Sequence, residues 1–136
     1  MLTVDASVWV ASFDPGDRFH QESRRFLHIV GERQLALHAP ALLLLEVACA
    51  LARRAQNGAV GRAAARRLRT HPTLQVHPVD SSLLSRARDV GTERLLRAAD
   101  ALYVATAEVL AAPLVSWDKE LVQRAGARTP PDWLGV

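Results

Sequence analysis

Four acids in this chain stand where acids are unusual. Asp5 follows the apolar triplet Leu2-Thr3-Val4, and Asp118 follows Leu114-Val115-Ser116-Trp117. Glu46 is embedded in Ala41-Leu42-Leu43-Leu44-Leu45-Glu46-Val47-Ala48. One helical turn away from it lie Leu42, Leu43, Cys49 and Ala50, which is not the environment of a solvated helix face. Asp100 has Leu96 and Arg97 one turn before it and Tyr103 and Val104 one turn after. A carboxylate on an apolar face must be paired, protonated or bound to a cation. Singly, most of these acids have ordinary explanations: Asp5 could cap a helix starting near Ser7, and Asp100 could pair with Arg97. Glu46 has no basic residue near it in sequence before Arg53. Together, four carboxylates at one site cannot all stay ionised without a cation, because like charges raise each other's pKa. One or two Mg²⁺ or Mn²⁺ ions meet that demand, being hard cations that take oxygen ligands. Ser7 and Ser116, each two residues from an acid, could orient carboxylates or act as a helix cap and a strand-end polar residue.

Other chemistries find little footing. The single cysteine, Cys49, excludes an internal disulfide or a Cys-rich zinc site, and its apolar neighbours read it as a core residue. The five histidines show no H-E-x-x-H spacing. His38, at the end of an apolar segment, could approach the acids; His71 and His77 read as loop residues. There is no phosphate-binding G-x-x-x-x-G-K-[ST] loop, no G-x-G-x-x-G and no G-x-S-x-G elbow.

The elements that must carry these residues alternate. Short apolar runs at Leu2–Val4, Leu35–Leu37, Leu74–His77 and Pro113–Ser116 read as strands. Helical patterns cover 18–30 after a cap at Asp17, and about 40–56 with Pro40 opening and Asn57-Gly58 stopping the helix. Further helices fit 60–69, 81–90 after Asp80 or Ser81, part of 93–110, and 118–125. A last short strand is expected around Ala127-Arg128. The alternation predicts an α/β domain with a short, mainly parallel sheet and helices on both faces. Ligands in such sheets bind at the carboxyl ends of the strands, so Asp5 and Asp118 fall on one rim.

With 136 residues, 49% of them hydrophobic, the chain suits one compact domain over 1–136. The N-terminus lacks a basic region and meets an acid at Asp5, unlike a secretory signal. The longest apolar stretch, Ala39 to Ala52, is shorter than a membrane helix needs. A soluble, cytoplasmic protein with no membrane contact is the expectation.

Seventeen basic and fourteen acidic side chains leave a formal charge of +3. Without the four unusual acids the remainder is +7, from 17 bases against 10 acids. An acidic pocket framed by arginine suits binding and cutting a polyanionic backbone. Arg53, Arg54, Arg66, Arg67 and Arg97 are the candidate backbone contacts, with a solvated helix face as the plainer reading. Trp117, beside Asp118, could stack a base or sit in the core.

These residues resemble the PIN domain family, specifically the small prokaryotic toxin ribonucleases of VapC type. Val4-Asp5-Ala6-Ser7-Val8 resembles the first family motif, and Ala39-Pro40-Ala41-Leu42-Leu43-Leu44-Leu45-Glu46-Val47 the second. Ala99-Asp100-Ala101-Leu102-Tyr103-Val104-Ala105 resembles the third, and Leu114-Val115-Ser116-Trp117-Asp118 the fourth. The resemblance covers nearly the whole chain. It implies a three-layer α/β/α sandwich and a Mg²⁺- or Mn²⁺-dependent endoribonuclease leaving 5′-phosphate and 3′-hydroxyl ends. It implies that Asp5, Glu46, Asp100 and Asp118 form the catalytic metal site, with Ser7 and Ser116 supporting and Glu120 an additional outer carboxylate. A homodimer silenced by a small antitoxin is also implied. A non-catalytic PIN-fold module that binds nucleic acid or protein is the alternative. Arg97 departs from the family, which often has a small hydroxyl residue shortly before this aspartate. An Arg97–Asp100 pair is expected to lower metal affinity.

Overall fold

The computed structural model describes residues 1–136. Its strands are β1 (Leu2–Val4), β2 (Leu37–Pro40), β3 (Leu74–His77) and β4 (Leu114–Val115). Between β1 and β3 run α1 (Ala6–Phe13), α2 (His20–Glu32), α3 (Leu42–Ala55) and α4 (Gly58–Arg69). After β3 come α5 (Ser81–Arg94) and α6 (Ala98–Leu110), and after β4 come α7 (Lys119–Ala125) and α8 (Pro130–Leu134). All strand pairings are parallel, in the order β3-β2-β1-β4. The central strand β1 is buried throughout, as a strand covered on both faces must be.

This strand order determines where the helices go. The chain steps from β1 to β2 to β3 in one direction, then jumps back across the sheet to β4. Parallel crossovers are right-handed, so reversing the direction moves the connection to the other face. Helices α5 and α6 therefore lie opposite α1 to α4, completing the expected three-layer sandwich. Contacts agree: α6 packs on β1, β2 and β4 with α5 against it, while α1 packs against α2 and α3. Trp9, Phe26, Val30, Leu43, Val47 and Tyr103 are fully buried between these layers. The reversal also opens a crevice between β1 and β4 at their carboxyl ends, the usual ligand position in an open parallel sheet.

Several boundaries differ from the sequence reading. Strand β2 starts at Leu37 and takes in Pro40, because β2 pairs with β3 up to Pro40 opposite His77 and the Ala41 amide still donates to His77 O at 2.7 Å. His77 is thus a strand residue, not a loop one. Helix α3 ends at Gln56 in the left-handed region (φ 50°), and Asn57 instead caps α4, accepting from the Ala59 amide at 2.9 Å. Asp17 accepts from the Phe19 amide at 2.8 Å, but α2 begins only at His20, with no side-chain cap bond at Phe19. Helix α5 runs on to Arg94. Arg128 makes one parallel bridge to Val115 rather than a strand, and α8 follows it. Cys49 is exposed: the buried stripe of α3 is Leu43, Val47 and Leu51, and Cys49 shares the opposite face with exposed Leu45. No helix is long and apolar enough to cross a membrane.

Helix α4 lies tight against α3 at Gly61, where an added Cβ would run into the Ala48 carbonyl oxygen. Backbone cannot yield there as a side chain would. Gly61→Ala is expected to cost about 2 kcal/mol by forcing the helices apart. Urea unfolding measures this, and an unchanged midpoint would mean that the two helices do not meet at that point.

Candidate functional site

The strand register brings the first pair of groups together. Val4 pairs with Val115, so the next residues, Asp5 and Ser116, emerge side by side from β1 and β4. Ser116 Oγ donates to Asp5 Oδ2 at 2.9 Å, and the Ser7 amide reaches the same oxygen at 3.2 Å. Ser116 Oγ in turn accepts from the Asp118 amide at 2.9 Å. Ser7 Oγ lies 3.4 Å from Ser116 Oγ and accepts from the Trp117 amide at 3.1 Å. The two serines thus tie the ends of β1 and β4 into one cluster.

Three of the four acids sit at helix N-termini. Asp5 caps α1, Asp118 caps α7 by accepting from the Glu120 amide at 2.8 Å, and Asp100 lies in the first turn of α6. The positive end of each helix dipole offsets part of their charge. Glu46, in the second turn of α3 and beyond the reach of its N-terminus, has no such help. Its partner is Tyr103, whose hydroxyl donates to Glu46 Oε1 at 2.7 Å. Tyr103 is one turn from Asp100 on α6, so this bond joins Glu46 to the rest of the cluster. Arg97 completes the connection from outside: it donates to Asp118 Oδ2 at 2.7 Å and Asp100 Oδ2 at 3.2 Å, and reaches Glu120 Oε2 at 3.5 Å. The pairing of Arg97 with Asp100 is as expected; its bridge to Asp118 and Glu120 is additional.

The carboxylates still feel one another. Burial pushes Asp5 above the usual carboxylate range, against the opposing hydrogen bonds from Ser7 and Ser116 and with repulsion from Asp118 adding to it. Glu46 is raised by burial and by the charges of Asp5 and Asp100, although Tyr103 opposes the shift. Asp100 is raised by burial and by Asp118, with Arg97 acting against it. Tyr103 is pushed strongly up by burial and by Glu46, and remains a protonated donor. An all-oxygen donor set under mutual repulsion is chemically suited to a hard divalent cation. No three His, Cys, Asp or Glu side chains yet converge as a metal cage, however. Tyr103 holds Glu46, and Arg97 holds Asp100 and Asp118.

A cleft of about 450 Å³ opens beside these groups, lined by Ser7, Glu46, Asp118, Arg54 and Trp117 among others. Arg54 reaches it already paired, at 2.8 Å to both Asp14 and Asp17. Arg53, Arg66 and Arg67 do not line it. Arg67 instead lies over the Phe13 ring, 5.2 Å from its centroid. Trp117 is half-buried, stacked on Phe19 with ring centroids 3.9 Å apart and planes 4° from parallel. Its indole N–H donates to buried Ser23 at 2.8 Å. His38 is buried in β2 with its Nδ1 2.9 Å from His77 Nε2, and does not line the cleft. The sequence gives Tyr103 and Phe19 only packing roles in their helices, and gives no site role to either or to Arg18. Tyr103 and Phe19 act on partners far away in sequence, Glu46 and Trp117, and an inward-facing tyrosine looks like any core residue.

The family model described as PIN domain matches residues 2–127. No curated protein matches the chain. Among solved structures, the fold is similar to Mycobacterium tuberculosis VapC20, described as a sarcin–ricin loop cleaving toxin. That likeness has a TM-score of 0.77 at 23% identity and covers 93% of this chain and 96% of the other. A toxin–antitoxin complex from Klebsiella pneumoniae is similar with a TM-score of 0.67 at 20% identity, covering 96% and 98% of the two chains. VapBC2 from Rickettsia felis, bound to a DNA fragment from its promoter, gives 0.70 at 10% identity, covering 94% and 96%. At these identities the likeness is one of fold.

Both hydrogen bonds to Asp5 end on one oxygen, so asparagine can keep them while removing the charge. The folded-state pKa of Asp5 is raised, so its stabilising contribution is full below the unfolded value near 3.8 and is lost as pH rises through the folded value. Asp5→Asn is therefore expected to raise the melting temperature of the metal-free protein at pH 7.5 by about 3 °C. The gain should shrink toward pH 4. Scanning calorimetry at the two pH values checks this, and a lower melting temperature at pH 7.5 would contradict the buried repulsion.

Proposed function

The chain belongs to the PIN domain family, and from that premise we propose that it is a metal-dependent endoribonuclease, the toxin of a VapBC-type toxin–antitoxin pair. The observation that carries the reading is the joining of Asp5, Glu46, Asp100 and Asp118 through Ser116, Arg97 and Tyr103 at the strand-order reversal. In this reading residues 1–136 act as one domain in the cytoplasm, as a homodimer, on RNA, and are silenced by a small antitoxin. The sarcin–ricin loop cleaving and toxin–antitoxin descriptions of two structural neighbours support it.

The four acids are the candidates to hold one or two Mg²⁺ or Mn²⁺ ions. Such an ion, when bound, supplies charge stabilisation and an acidified water for hydrolysis of a phosphodiester. The chain's own groups set the conditions. Ser116 and Ser7 fix the Asp5 carboxylate. Tyr103 fixes Glu46 and, being fully buried, keeps bulk water from that side. Arg97 neutralises Asp100 and Asp118 in the absence of a metal and is free to swing to a substrate phosphate, since its side chain is 69% exposed.

Total RNA incubated with purified, antitoxin-free protein should give discrete fragments with Mg²⁺ or Mn²⁺ and none with chelator. Asp100→Asn and Asp118→Asn should each reduce cleavage by a hundredfold or more, about 3 kcal/mol of barrier. Activity persisting in both variants would sink the assignment.

Metal titration by calorimetry separates the roles further. Glu46→Gln should bind Mn²⁺ at least several-fold more weakly while melting as a folded protein. Arg97→Gln should bind it more tightly, because the competing guanidinium is gone. Weaker binding by Arg97→Gln would show that Arg97 supports the site instead of competing for it. The non-catalytic alternative draws on the same Arg97 bridge, which neutralises the acids without a metal. It predicts RNA binding with no metal-dependent cleavage.

A further inference from the structure

The stacked pair Phe19 and Trp117 is a wall between two clefts. On one side lies the acidic cleft described above. On the other is a second cleft of about 580 Å³, lined by Arg18, Phe19, Trp117, Lys119, Gln123 and Thr129, with Val122 between them. Arg18, Phe19 and Trp117 line both. The two differ in charge: the first has Asp17, Glu46 and Asp118 in its lining, the second has two cations and no acid.

We propose that this second cleft is a nucleotide subsite, seating the RNA residue next to the one whose phosphodiester enters the acidic cleft; the proposal rests on the ribonuclease reading. Three features support a nucleotide as occupant. First, the aromatic wall is rigid. The indole N–H is held by Ser23, the Trp117 amide by Ser7, and the indole face by Phe19. A ring held this way loses little entropy when a base stacks beside it. Second, Arg18 lies over the Phe19 ring, 4.5 Å from its centroid, and continues the stack. Its guanidinium covers a face of the Phe19 ring and, being in no ion pair, can move from there to a phosphate. Third, Arg18 and Lys119 are exposed and take part in none of the chain's ion pairs. Arg54 and Arg97, by contrast, are held by acids. Uncommitted cations beside an aromatic wall match a base and the two phosphates that flank it, and Gln123 and Thr129 add polar groups for a base edge or a ribose hydroxyl.

Because Trp117 immediately precedes Asp118, the wall is fixed to the acid cluster through one peptide unit. A base stacked against the wall thereby sets the register of the backbone in the acidic cleft. The wall is thus a positioning device, and it would act on single-stranded or unpaired RNA, where a base face is available.

The test is binding of a fluorescein-labelled ten-nucleotide single-stranded RNA, followed by anisotropy at several salt concentrations. An Asp100→Asn background with Mg²⁺ present prevents turnover. Adding Arg18→Gln and Lys119→Gln, both surface changes, should weaken binding about tenfold. It should also reduce the slope of log affinity against log salt by about 1.4, at roughly 0.7 per phosphate on a single strand. An abasic strand of the same length and charge should bind the Asp100→Asn protein about tenfold more weakly than the base-bearing strand. Unchanged affinity and slope in the Gln variants, or equal binding of the abasic strand, would overturn the subsite while leaving the nuclease reading intact. That reading fails separately, if the unaltered chain does not cleave RNA with metal. If the Gln variants keep their RNA affinity but bind polyglutamate more weakly than their parent, the cleft serves an acidic peptide and the nucleotide proposal falls.

Discussion

Negative charge held in a partly buried rim is the constraint on which this structure turns. Asp5, Glu46, Asp100 and Asp118 approach closely enough for three of them to be raised by burial and by their neighbours. Folding must counter that repulsion before any ligand arrives. The chain does so with several weak devices in place of one strong one. Three helix N-termini face the acids, two serines donate to or orient them, a buried tyrosine holds the glutamate, and a surface arginine spans the two outermost aspartates. Each is modest alone. Together they keep the acids ionisable, whereas full burial with one cation would lock them.

The sheet topology is what allows helix N-termini to converge there. In a parallel sheet every strand ends on the same rim, and every following helix starts on it. Asp5 and Asp118 can therefore be strand-end residues and helix caps at once. Reversal of the strand order at β1 and β4 leaves a gap in that rim, which the neighbouring helices do not close. Asp100 and Glu46 come from opposite layers, α6 on one face of the sheet and α3 on the other, and meet across this gap. The tie between them is the Tyr103–Glu46 hydrogen bond, so the layers are joined at the site by a polar contact inside an apolar core.

Much of this was legible in the sequence because it is local. The apolar runs before Asp5 and Asp118 identify strand ends, and apolar neighbours at helical spacing identify Glu46 and Asp100 as misplaced for a solvated face. Helix ends were less legible. Gln56, Leu95 and Ala111 all close helices in the left-handed region, although none is glycine. Helix α3 does stop before Asn57-Gly58, but the same two residues also start α4. Cys49 reads as a core residue but is exposed, because α3 is apolar nearly all round and periodicity alone does not say which stripe faces inward. Contacts between distant residues were invisible. Phe19 and Trp117 are 98 positions apart, and neither neighbourhood hints at the other. Arginine spacing does not show which arginines face the site: Arg53, Arg66 and Arg67 do not line the cleft, while Arg18 lines both clefts.

The partners of the four acids fall into two kinds, and the difference bears on function. Tyr103 is fully buried and Ser116 likewise, so their bonds to Glu46 and Asp5 cannot exchange with water without opening the core. They set positions. Arg97 is mostly exposed, and its bonds compete with solvent at little structural cost. It sets occupancy. A site built only of the first kind would be rigid but poorly neutralised, and one built only of the second would be neutral but loosely placed. Inner carboxylates held by buried hydroxyls and outer ones by a removable guanidinium let the cluster keep its geometry while its counter-charge is exchanged. In the proposed ribonuclease reading, a polyanion arriving with its own cations requires that exchange.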